Sequence, residues 1–141
     1  MFGAMAWASI DIVLMLLNAG ANVKCIDMMG NDAFMYASVY GRPKNLQCWL
    51  ERVKEYDLEH RNAALGVTSL IIAVNMGANK VDTVRTLCES GARIDALSHP
   101  GFSVLMAACA NEDSDPAVVK LLIEVLDRVE DLGLDLSLIH I

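Results

Sequence analysis

The chain has 141 residues, of which 55% are hydrophobic, 21% charged and only 6% aromatic, and its formal net charge is −7. A domain of this size removes about two-thirds of its unfolded surface from water, and an apolar content above the roughly 45–50% of an average soluble chain argues against disorder. A pI near 4.8 argues against nucleic acid as a partner, because phosphate contact needs positive charge.

The acidity is local. Residues 1–111 carry 10 acids and 9 bases, whereas residues 112–141 carry 8 acids against Lys120 and Arg128, giving −1 and −6. Met1 to Ile10 has no basic stretch and meets Asp11 early, so no signal peptide is predicted. Asp11 to Leu17 predicts an apolar helix ended by Gly20-Ala21, glycine being the favoured C-terminal residue.

Gly30 to Ser38 then reads as a glycine able to close a tight turn, a short polar residue two places on (Asp32), and a run of apolar and small residues. Asp32 is placed to accept a hydrogen bond from the orphan amides of a starting helix. Pro43 to Leu50 predicts a second helix, with Pro43 in the first turn, where its missing amide is not needed. Gly66 to Val74 repeats the pattern with Thr68 as cap. It falls in the longest charge-free stretch, Asn62 to Asn79, which Gly66, Thr68, Ser69, Asn75 and Gly77 interrupt. A membrane span needs about 20 predominantly apolar residues, so a buried helix is predicted and no membrane insertion. Val84 to Cys88 comes next, ended by Gly91-Ala92; Gly101 to Cys109 repeats the pattern with Ser103, and Pro116 opens a last helix through Val118 to Ile123. The three turn glycines are 36 and 35 residues apart, and Ala37, Ala73 and Ala108 sit where each helix must approach a neighbour.

These residues resemble the ankyrin repeat family over about residues 1–126. Asp27-Met28-Met29-Gly30 is similar to the family's loop, Ile12-Val13 through Leu16-Leu17 with Gly20-Ala21-Asn22-Val23 to its second helix and exit, and Gly91 to Asp95 to the same exit. The resemblance implies an all-α, ankyrin-like helical-repeat solenoid of about four units (1–26, 27–62, 63–97 and 98–126), the first incomplete, followed by an acidic helical tail over 127–135. The family's Thr-Pro-Leu-His becomes Asp32-Ala33-Phe34-Met35, Thr68-Ser69-Leu70-Ile71 and Ser103-Val104-Leu105-Met106. The cap survives each time, while the proline and the histidine, with its polar link, do not. Residues Val53 to Tyr56 stand where the second unit's Gly-Ala exit belongs.

Leu136-Ser137-Leu138-Ile139-His140-Ile141 is similar to the in-frame translation of a transposase-type library adapter, so 136–141 reads as an artefact and the chain as a piece of a longer protein. No unit looks like a polar cap, and repeat stacks need caps at their ends. The isolated chain is therefore expected to be marginally stable or to self-associate through its uncapped ends.

No constellation supports catalysis, a metal or a cofactor. Cys109 with His99 is the one Cys/His pair close in sequence, but Cys109 occupies a small-residue helix slot and reads as buried and structural, as do Cys48 and Cys88; Cys25 lies in an exit and reads as partly exposed. The four cysteines show no metal-like spacing, and reduced thiols fit an intracellular setting, cytoplasmic or nuclear. Glu112, Asp113 and Asp115 lack the alternate spacing of a calcium loop and read as a solvated loop with a helix cap.

The resemblance places partner contacts on the loop tips and the exposed face of the first helices: Met28, Met29, Asn31, Val39 and Tyr40; then Ala64, Leu65, Val67, Asn75 and Met76; then His99, Phe102, Ala110 and Asn111. Exposed apolar patches mark interaction sites. For Val67 and Ala110, packing under a loop or against a missing repeat is favoured. For Met28, Met29, Tyr40 and Phe102, burial and partner contact weigh equally. The function implied is non-catalytic binding of a protein or peptide; the alternative is a regulatory or docking segment of a larger enzyme or ion channel.

Overall fold

Asp32, Thr68 and Ser103 each turn a short side chain onto the amide three residues ahead: Met35 N at 2.8 Å, Ile71 N at 3.4 Å and Met106 N at 3.1 Å. Each thereby starts a helix, as the thrice-repeated pattern predicts. The structure is a computed structural model and describes residues 1–110 and 114–131. It contains α1 (Phe2–Trp7), α2 (Ile10–Asn18), α3 (Ala33–Val39), α4 (Pro43–Arg52), α5 (Ser69–Met76), α6 (Lys80–Glu89), α7 (Val104–Cys109) and α8 (Pro116–Asp131). Residues 127–131 of the expected acidic tail are thus the end of α8; 132–135, with the adapter-like 136–141, lie outside the described residues.

The helices form two layers. In one, α1, α3, α5 and α7 pack in succession; in the other, α2, α4, α6 and α8 do the same, and each consecutive pair also packs internally. The architecture is an all-helical repeat solenoid. Loops between pairs make tight hairpins, marked by isolated antiparallel bridges Ile26–Asp32 and Leu97–Ser103, with no strand among the described residues. Gly30 and Gly66 serve these loops twice over. Both have left-handed backbone (φ +82° and +62°), and a Cβ would strike the Ala63 amide at Gly30 and the His99 ring at Gly66.

Between the layers lie Trp49, Phe34, Leu46, Leu70, Leu87, Leu122 and Val104, all fully buried. Ala37, Ala73 and Ala108 are buried too, which lets successive inner helices approach closely. One expectation needs correction. Cys109 is exposed, although Ser38 and Val74, six places from the same cap position, are buried. α5 packs on α3 and α7 on α5, whereas among the described residues no inner helix packs on the far side of α7. Ala110, expected to pack under a loop or against a missing repeat, is exposed, with no inner helix beyond α7 among the described residues, while Val67 packs partly against the core.

The histidine's missing link has substitutes. Asn62 donates to Asn31 Oδ1 (2.9 Å), the Ala63 amide to Met29 O (2.9 Å), the His99 amide to Leu65 O (2.9 Å), and Asn45 to Met5 O and Ala8 O (both 3.1 Å). Where the Gly-Ala exit is missing, Tyr56 packs its ring on Phe34 with centroids 4.6 Å apart and donates its hydroxyl to Asp32 Oδ2 at 2.7 Å.

Candidate interaction surface on the inner helices

Counting from each capping residue, the same positions face one side of the inner layer in every pair. Three places before the cap stand Met29, Leu65 and Pro100, and one place before it Asn31, Val67 and Phe102. Four places after it come Tyr36, Ile72 and Ala107; seven after, Val39, Asn75 and Ala110; eight after, Tyr40 and Met76. The rows enclose a groove of about 320 Å³ between α3 and α5 and an adjoining one of about 280 Å³ between α5 and α7, with Leu65, Val67, Ile71 and Asn75 shared by both. No Lys, Arg, Asp or Glu is among the residues lining either.

The apolar side chains here are open to solvent: Met29 is 51% exposed, Tyr40 37%, Leu65 53%, Met76 65% and Phe102 49%. Loop hydrogen bonds hold the tips. Asp27 Oδ1 accepts from the amides of Met29 (2.8 Å) and Asn31 (2.9 Å), and its Oδ2 from Asn31 Nδ2 and the Tyr36 hydroxyl (both 3.0 Å). Burial pushes the Asp27 carboxyl up, yet the bonds from Asn31, Met29 and Tyr36 outweigh it and hold the group below its ordinary range. The Asp27 bond, and secondarily burial, pushes the Tyr36 hydroxyl up. In the next loop Asn62 Oδ1 accepts from Leu65 N (3.1 Å) and Val67 N (3.3 Å), and in the last Ser98 Oγ accepts from Phe102 N (3.1 Å). A short polar residue therefore sets each loop tip.

Of the expected partner residues, Met29, Asn31, Tyr40, Leu65, Asn75 and Met76 come together in the first groove, and Phe102 joins Leu65 and Asn75 in the second. Met28 is fully exposed at a loop tip and lines neither, and His99 lays its ring over Gly66, between two loops. Asn111 lies outside the described residues. The sequence reading missed Tyr36, Ile72, Asn62, Asp27 and Trp7. A polar residue five or six places before each cap was the available signal for Asp27 and Asn62. Trp7 stacks on Tyr40 with ring centroids 4.2 Å apart and extends the stripe onto α1, whose start carries no glycine-and-cap pattern to align it.

Among the described residues, no cluster of three His, Cys, Asp or Glu could hold a metal, and no helix is long and apolar enough to cross a membrane. Burial pushes the Cys88 thiol up to about 11, with Glu89 adding to the effect.

Two layers of stacked helix pairs, hairpin loops and an apolar groove along the inner layer define a helical-repeat protein. The family description "Ankyrin repeats (3 copies)" matches residues 34–133. The chain is also 36% identical over 115 residues to mouse B-cell lymphoma 3 protein homolog, a match covering 79% of this chain and 25% of that relative. The chain belongs to the ankyrin repeat family; the match spans about a quarter of that relative's length. Repeats of this kind generally mediate protein–protein interaction.

Proposed function

We propose that the chain is a non-catalytic binding module that captures a protein or peptide through Met29, Asn31, Tyr40, Leu65, Asn75, Met76 and Phe102. The observation that carries this reading is the run of exposed apolar side chains at equivalent positions of successive pairs, held around one uncharged groove. Methionine and tyrosine suit such a surface, the first adapting its shape and the second offering a rigid, amphipathic ring. In this reading Met28 belongs to the rim, and the units divide at 26/27, 62/63 and 97/98. Four free cysteines support an intracellular setting, cytoplasmic or nuclear.

The test compares the wild-type chain with the double variant Met29→Asp/Tyr40→Asp in quantitative capture from cell lysate. Both positions are exposed, so the variant folds, losing about 1 kcal/mol or less, chiefly from the Trp7–Tyr40 ring pair. The reading predicts a set of proteins retained by wild type and lost by the variant at unchanged far-UV circular dichroism. Equal retention by both would place the binding surface elsewhere.

A further inference from the structure

The groove is not uniform along its length. Four places after each cap the side chain shrinks from Tyr36 to Ile72 to Ala107, and seven places after it from Val39 to Asn75 to Ala110. Between α5 and α7 the floor is therefore alanine, and the walls are Leu65, Pro100 and Phe102 around a space of about 280 Å³. Among the described residues, charged groups beside the groove are already engaged: Asp27 holds Tyr36 and Asn31, Lys80 Nζ donates to the Asn75 carbonyl at 3.2 Å, and the Arg61 guanidinium donates to the Gly66 and Leu97 carbonyls. The Ser98 Oγ accepts from the Phe102 amide. A charged side chain entering here would shed its water without finding an unengaged opposite charge among the described lining residues.

Resting on the binding reading above, we infer that the groove takes an uncharged segment of a partner protein, anchored by one bulky apolar side chain seated over Ala107 and Ala110 between Leu65, Pro100 and Phe102. Burying a side chain of Leu to Phe size is worth roughly ten- to a hundred-fold in affinity. That makes this pocket the site of a dominant anchor rather than one contact among many.

The probe is a random peptide library displayed on phage and selected against the full chain, with Met76→Asp, Ala110→Phe and Phe102→Asp as counter-selections. All three positions are exposed, so each variant is checked by circular dichroism and carried forward folded. The inference predicts enriched peptides with an uncharged core and one recurrent aromatic or Leu/Ile/Met position. It predicts about ten-fold or greater loss on Ala110→Phe, which fills the pocket, and on Phe102→Asp, and an affinity changing by less than about two-fold between low and high salt. Peptides lost on Met76→Asp but carrying charged cores, or indifferent to Ala110→Phe and Phe102→Asp, would overturn the anchor and leave the groove reading standing. No enrichment, or peptides indifferent to all three variants, would overturn both.

Discussion

Tyr56 gives its hydroxyl to Asp32 Oδ2, while the other oxygen of the same carboxylate caps α3. Burial first, and then the Asp32 carboxylate, push the Tyr56 hydroxyl far up its range, so it stays a donor at every ordinary pH. Tyr56→Phe keeps the ring on Phe34 and removes the bond, and should lower stability by about 2 kcal/mol in urea unfolding, the value of a hydrogen bond to a charged group. Asp27 works in the opposite direction. Its carboxyl is held low in the folded chain, so it contributes stability present above its unfolded value and lost as pH falls through the folded one. The melting temperature of wild type should therefore fall more steeply than that of Asp27→Asn on acidification from about pH 5 to about pH 2.5. The thiols sort by burial: Cys25 and Cys109 should react with iodoacetamide well before Cys48 and Cys88, whose raised values leave little thiolate. Of these residues, Cys48 and Cys88 were legible from their apolar stripes. Cys109 was not, because its exposure follows from there being no covering helix beside α7 among the described residues rather than from its own sequence neighbourhood.

At the scale of elements, the loops and helix starts were the most legible part of the fold, because glycine and cap act within a few residues. The three caps should each be worth about 1 kcal/mol, read as the loss on Asp32→Ala, Thr68→Ala or Ser103→Ala; Asp32→Ala should cost more, since it also strands Tyr56. Two glycines separate conformation from contact. Gly20 has φ +78° with open space around it, whereas Gly66 has φ +62° beneath the His99 ring. Gly20→Ala should cost about 1 kcal/mol from strain, and Gly66→Ala distinctly more. Illegible at this scale were the cross-pair polar links of Asn62 and Asn45, which join residues 31 and 40 positions apart and leave no local pattern.

For the whole molecule, the ends of the stack differ from its middle. Three places after the cap, Met35 and Ile71 are buried (1% and 2%), while Met106 is 38% exposed; at the other end Trp7 and Met15 are 69% and 70% exposed. An isolated 141-residue chain with such faces should self-associate, giving a concentration-dependent sedimentation coefficient and melting temperature; a concentration-independent monomer would contradict this. The groove was half legible. Loop tips and the ends of the first helices came from the repeat, but the narrowing from Tyr36 and Ile72 to Ala107 acquires meaning only once three pairs stand side by side. The central claim is that this groove, rather than the outer layer, meets the partner. Amide chemical shifts of the isotope-labelled chain, recorded while a library-selected peptide is titrated in, test it most directly. The account predicts perturbations confined to the loop tips around Met29, Leu65 and Phe102 and to α3, α5 and α7. Perturbations centred on α4, α6 and α8 would contradict it.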